Sequence, residues 1–174
     1  HPLALDIRAD EMTSYGGRIY VRSGTSLVEV VLTDGGSGVV ASPRVIASVL
    51  LHATRMFDGV AVQKLLGSCY VSVFPRAGAH LQVRVPELDD YTVLNARHDG
   101  RILMVVGAKG GHYDRLVFVL DEDYDRAVLR SLVPDVTPAG LNFVVLESGV
   151  CVHLTEDEKL EVTFVAKQGS RSVD

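Results

Sequence analysis

A chain of 174 residues, 47% apolar and 22% charged, carries enough hydrophobic surface to offset its chain entropy and is of a length suited to one folded domain. Its formal net charge of -5 and pI near 5.6 argue against a nucleic-acid-binding class, because that affinity comes from clustered Lys and Arg displacing counterions. No stretch approaches the roughly 18 to 20 uninterrupted apolar residues of a membrane helix, and the first residues lack the basic, apolar, small-residue order of a secretory signal; the expected setting is the cytoplasm.

Residues 17–32, GRIYVRSGTSLVEVVL, place Ile19 and Val21 on one face against Arg18, Tyr20 and Arg22. They turn at Ser23 and Gly24 and resume the apolar face at Val28, Val30 and Leu32. Alternation of period two predicts a half-buried hairpin over 18–32. The next segment, SPRVIASVLLHATRMF, reads differently. Ser42 suits an N-cap and Pro43 a first helical turn, while Val45, Ile46, Val49, Leu50, Ala53, Met56 and Phe57 recur at helical spacing. That spacing predicts a helix over 43–57; the β-branched content leaves a buried strand through Val49 to Leu51 as the alternative.

Further along, Cys69, Val71 and Val73 alternate with Ser68, Tyr70 and Ser72, and Leu81, Val83 and Val85 with His80, Gln82 and Arg84, which predicts a second hairpin over 69–85. Two nearly continuous apolar runs around Gly110 and Gly111 predict a third over 101–120. DEDYDRAVLRSLVPD predicts a short helical turn from Tyr124 to Leu132, ended by Pro134. A fourth hairpin is expected over 141–154, turning at Ser148 and Gly149, with a further strand at 160–165.

These units begin at Gly17, Gly67, Gly100 and Gly140, at intervals of about 50, 33 and 40 residues. The intervals bracket the roughly 40 to 50 residues of a propeller blade. The series resembles β-propeller-type repeats in architecture alone, since there is no Trp for a Trp-Asp signature and no kelch-like motif. The resemblance implies a mainly β fold of repeated antiparallel hairpins, propeller-like or a partial propeller, in which each small sheet stacks on its neighbours. Residues 1–165 are then a single β-rich repeat domain and 166–174 a disordered polar tail. An arc of sheets that does not close leaves apolar faces and strand edges at its ends. The expected partner is therefore another protein chain, either a second copy or a missing part of the same protein, in a dimer or stable complex.

No catalytic signature is complete. Cys69 and Cys151 are the two cysteines; each lies in an apolar run and is expected to be a buried, unbridged thiol. Asp121, Asp123 and Asp125 form a D-x-D-x-D spacing that could aim carboxylates at one calcium ion, the sole cofactor candidate. An EF-hand loop, however, needs Gly and Glu where Arg126 and Leu132 stand. GGSGV at 35–39 lacks the closing Gly of a nucleophile elbow, and GAKGGH at 107–112 lacks the end of a phosphate loop. Among the 6 histidines, none pairs at i, i+4 on a predicted helix, so a metalloprotease pair is absent. His98 with Asp99 and His112 with Asp114 flank the third hairpin and form the one candidate acid/base cluster. The leading expectation is a protein-interaction or scaffold module that presents loops on stacked hairpins and is not an enzyme. The alternative is a hydrolase or lyase whose cleft uses His98, Asp99, His112 and Asp114.

Overall fold

The computed structural model describes residues 7–36, 38–47, 54–74, 81–136, 143–146, 150–154 and 159–164. Among the described residues, fifteen strands follow one another as up-and-down meanders. Sheet 1 contains β1 (Glu11–Tyr15), β2 (Arg18–Ser23), β3 (Ser26–Asp34) and β4 (Val39–Ala47). Sheet 2 contains β5 (Arg55–Phe57), β6 (Val60–Leu65), β7 (Ser68–Val73) and β8 (Leu81–Arg84). After a 3-10 turn at Pro86–Leu88 come sheet 3, with β9 (Thr92–Asp99), β10 (Ile102–Lys109), β11 (His112–Leu120) and β12 (Ala127–Val133), and sheet 4, with β13 (Phe143–Leu146), β14 (Val150–Leu154) and β15 (Leu160–Phe164). The protein is mainly β, and every strand pair within a sheet is antiparallel. Among the described residues, no helix is long and apolar enough to cross a membrane.

The four expected hairpins lie at β2–β3, β7–β8, β10–β11 and β13–β14. Two helical expectations are overturned. Pro43 sits in β4 opposite Val30, and Val45 pairs with Val28, so residues 43–47 are extended; Arg55–Phe57 is a strand as well. Pro43 is compatible with a strand there because β4 is the edge of sheet 1 and has a neighbouring strand on one side alone. The alternative strand through Val49 to Leu51 lies outside the described residues. Likewise the turn expected from Tyr124 to Leu132 is β12, which pairs with β11 through Leu116 and Leu132. Tyr124 has φ of 57°, a left-handed backbone that cannot begin a right-handed helix. The tail at 166–174 also lies outside the described residues.

Successive sheets stack face on face. Tyr20 and Leu27 of sheet 1 pack on Met56, Ala61 and Phe74 of the sheet 2 region, with the Tyr20 and Phe74 rings stacked at 4.5 Å. The opposite side of sheet 2, through Val60, Val62, Cys69 and Val71, meets Leu103, Val105, Leu116 and Phe118 of sheet 3. Ile102, Met104, Val106, Val117 and Val119 occupy the far side of sheet 3, where Phe143 of sheet 4 packs. The centre of sheet 3 is thus covered on both faces, which explains why β10 and β11 read as nearly unbroken apolar runs rather than as alternation. Each such buried side chain contributes roughly 1.5–3 kcal/mol of transfer free energy.

Along one border of the stack the first strand of each sheet touches the first strand of the next: β1 with β5, β5 with β9, and β9 with β13. Asp58, just after β5, forms a parallel bridge with Arg97 of β9, and the His98 N–H donates to the Asp58 carbonyl at 3.2 Å. The Glu11 carboxylate accepts the Met56 N–H at 3.0 Å, joining β1 to β5. The turn into sheet 3 is pinned by Arg84, which grips Asp89 with two hydrogen bonds of 2.8 and 2.6 Å.

Candidate functional site

Where these first strands converge, three turns open onto one polar cleft. Its volume is about 410 Å³, and its walls are Ser14 to Gly17 of the β1–β2 turn, Asp58, and Arg97 to Asp99 at the end of β9. Gly16 and Gly17 have φ of 58° and 75°, the pair of left-handed conformations that a two-residue hairpin turn requires. Asp58–Gly59 is the equivalent turn of sheet 2. Gly59, at φ 71°, lets the Tyr15 ring lie directly on the backbone, since a Cβ there would stand 2.6 Å from a Tyr15 ring carbon. Glycine at this one point thus sets how closely sheet 1 approaches sheet 2.

His98 forms the floor of the cleft. Its ring lies between Tyr15, 5.5 Å away between centroids, and Tyr124, 6.2 Å away and edge-on, while the Tyr124 hydroxyl donates to the Gly100 carbonyl at 3.2 Å. His98 is 3% exposed, and neither ring nitrogen makes a hydrogen bond of ordinary geometry. Burial pushes its pKa down to about 4; the nearby Gly100 backbone and the Asp99 charge offset that only in part. At neutral pH the ring is therefore uncharged, offering one donor and one acceptor. Beside it, Arg97 reaches in two directions: its guanidinium is 3.1 Å from an Asp58 carboxylate oxygen and 6.0 Å from the centre of the Phe143 ring. One side chain of β9 thereby ties sheets 2, 3 and 4 together.

The acid/base cluster expected from sequence divides between two places. His98 and Asp99 line the cleft, but His112 and Asp114 lie at the other end of β10, since His98 pairs with Leu103 and His112 with Lys109. Six residues of strand separate those positions by about 20 Å. At that far end, Asp114 accepts the Tyr91 hydroxyl at 2.5 Å and the Asp135 N–H at 3.2 Å, with His112 Nε2 at 3.5 Å. Burial opposes the Asp114 charge, but these donors together hold its carboxyl below the usual carboxylate range. The Tyr91 hydroxyl is in turn pushed up to about 12, first by burial and then by its bond to Asp114. Tyr91 packs flush on Gly107, where a Cβ would meet its ring at 2.9 Å. This network fastens the β9 and β11 strands around β10.

The acidic triplet closes a turn. The Asp121 carboxylate accepts the N–H groups of Asp125 and Arg126 at 2.9 and 3.3 Å. A side-chain hydrogen bond between Asp121 and Asp125 lowers the first carboxyl and raises the second. Among the described residues, no three His, Cys, Asp or Glu side chains are grouped to hold a metal ion. Cys69 is a free, fully buried thiol, and Cys151 stands on β14 in register with Val145 and Thr163.

Sequence reasoning missed Tyr15, Asp58 and Arg97. Asp-Gly at 58–59 is a readable turn signal, but Arg97 gives none: its partners Asp58 and Phe143 lie 39 and 46 residues away along the chain, by their numbers in the sequence.

No protein-family model matches the chain, and no curated protein matches it in sequence. Among solved structures, "KlHsv2 with loop 6CD replaced by a Gly-Ser linker" is similar with a TM-score of 0.46 and 14% identity, over 99% of this chain and 58% of that one. The chain thus spans less than two thirds of that structure's length.

Proposed function

We propose that the chain is a protein-interaction module: a propeller-like arc of stacked sheets whose partner, a segment of another protein, docks at the cleft between the β1–β2 turn, Asp58 and the end of β9. The observation that carries this reading is the convergence of turns from sheets 1 and 2 and the end of a sheet 3 strand on one polar cleft, each held by rigid strands. The cleft mixes Arg97, Asp58, Asp99, a neutral imidazole and glycine backbone, groups suited to recognising the main chain and polar side chains of a peptide. The hydrolase or lyase reading has less support. It needs His98, Asp99, His112 and Asp114 around one reacting atom, and about 20 Å of strand separates the two pairs. A cytoplasmic setting is in keeping with this role.

Selection of displayed random peptides on the immobilised chain tests the proposal, with Asp58→Lys as the comparison. Peptides recovered on the parent should lose at least about tenfold in affinity on the variant, the loss of one charge-assisted contact. Peptides that bind both equally would place recognition elsewhere. Turnover of ester, phosphoester or glycoside substrates that disappears in His98→Ala would favour the enzyme instead.

A further inference from the structure

The outward faces at the two ends of the stack carry exposed apolar side chains. In sheet 1, Glu11, Arg18, Arg22, Glu29 and Arg44 all fall on the side that faces sheet 2, as their register with Tyr20 and Leu27 shows. Glu29, 1% exposed, is held there by hydrogen bonds from Arg18 and Arg44. The outward side, on which no sheet packs among the described residues, is apolar. Val21, Val28 and Val30 are buried at its centre with Ile7 packed on them, and Met12, Leu32 and Val45 stand around them 67%, 54% and 58% exposed. In register, Met12, Val21, Val28 and Val45 form one row across all four strands. Sheet 4 also has apolar residues on its outward side. Phe143 packs on sheet 3, whereas Leu160 and Val162, on the opposite side of the sheet by register, are exposed at 73% and 50%. A sheet that faced water on its outer side would carry its charges there.

We propose that these two faces are the halves of one head-to-tail contact between copies of this chain, the outward face of sheet 4 in one copy packing on the outward face of sheet 1 in the next. The occupant follows from continuity with the stack itself. Three times within the chain, the far side of one meander packs on the near side of the next, and a second copy extends the same relation past sheet 4. The contact is heterologous, so two different surfaces meet. Copies joined this way either close into a ring or continue as an open assembly. The contact is independent of what the cleft binds.

The test uses one blocked face per variant: Val45→Glu on sheet 1 and Val162→Glu on sheet 4, both at exposed positions and both checked for an unchanged circular dichroism spectrum and melting temperature. Sedimentation velocity over a concentration series should show the parent chain associating and each variant weakened by about a hundredfold or more, since each buries an unpaired charge in an apolar contact. An equimolar mixture of the two should form a one-to-one pair, because each copy retains the face that the other lacks. Met12→Lys with Leu160→Lys provides a second such pair. A parent that stays monomeric throughout overturns the proposal. So does a single variant that associates like the parent, or a mixture that stays monomeric while the parent associates.

Discussion

His98 is the residue on which most of the cleft's chemistry rests, and its burial has a thermodynamic consequence. In the unfolded chain an imidazole titrates near 6.5, whereas in the folded protein it resists protonation until about pH 4. The unfolded state therefore binds more protons between those values. Stability attributable to the buried neutral ring is complete above pH 6.5 and lost as pH falls towards 4. Between pH 7 and pH 5 the loss should be about 2 kcal/mol in the parent, and His98→Phe, which keeps an aromatic ring between Tyr15 and Tyr124, should remove most of it. Urea midpoints at the two pH values measure this; equal slopes in parent and variant would show the ring to be accessible to protons when folded. Cys69 is governed by the same cause. Burial pushes its thiol up to about 11, so alkylation of the native protein at pH 8 should be far slower than of the urea-unfolded chain. Labelling at equal rates would contradict its burial between sheets 2 and 3.

Between elements, two glycines of similar backbone conformation separate strain from packing. Gly17 and Gly59 have φ of 75° and 71°, but an added Cβ meets nothing within 4 Å at Gly17 and the Tyr15 ring at Gly59. Gly17→Ala should cost about 1 kcal/mol from left-handed strain alone. Gly59→Ala should cost roughly 2–4 kcal/mol, because the Tyr15 ring must also move off the β5–β6 turn. Equal costs, measured by urea unfolding, would mean that Tyr15 does not seat on Gly59. How far the elements were legible in the sequence follows from similar local physics. Hairpins such as Ile19–Val21 against Val28–Val30 were readable because half-buried strands alternate, and the apolar runs of β10 and β11 because both their faces are covered. Residues 43–47 were misread because Ser42 and Pro43 imitate a helix start. What decides their conformation is pairing with β3, a contact between segments that local spacing does not encode. The division of the His/Asp cluster, by contrast, was implicit in the expected hairpin, because a turn at Gly110 and Gly111 puts His112 at its closed end and the eight residues of β10 separate it from His98 at the open end.

For the whole molecule, a stack predicts a gradient of stability from the middle outwards. Sheets 2 and 3 each have both faces in the described core clusters between neighbouring sheets, and β10 and β11 of sheet 3 are buried along nearly their whole length, whereas β4 is an exposed edge and β15 carries exposed Leu160 and Val162. Amide hydrogen exchange should accordingly be slowest in β10 and β11 and faster in β4 and β15. Uniform protection across all four sheets would instead indicate that the end sheets are covered as completely as the middle. The stack also explains how a chain with no catalytic motif builds a site at all: residues from three meanders, Tyr15, Asp58 and Arg97, meet because the first strands of successive sheets lie side by side. Whether that meeting place is where a partner docks is settled most directly by nuclear magnetic resonance, titrating the isotope-labelled chain with the tightest peptide selected on it. If it is, backbone shifts concentrate at 14–17, 58–59 and 97–99 and vanish in Asp58→Lys. Shifts confined to the His112–Asp114 end of sheet 3 or to the outward faces of sheets 1 and 4 would contradict docking there.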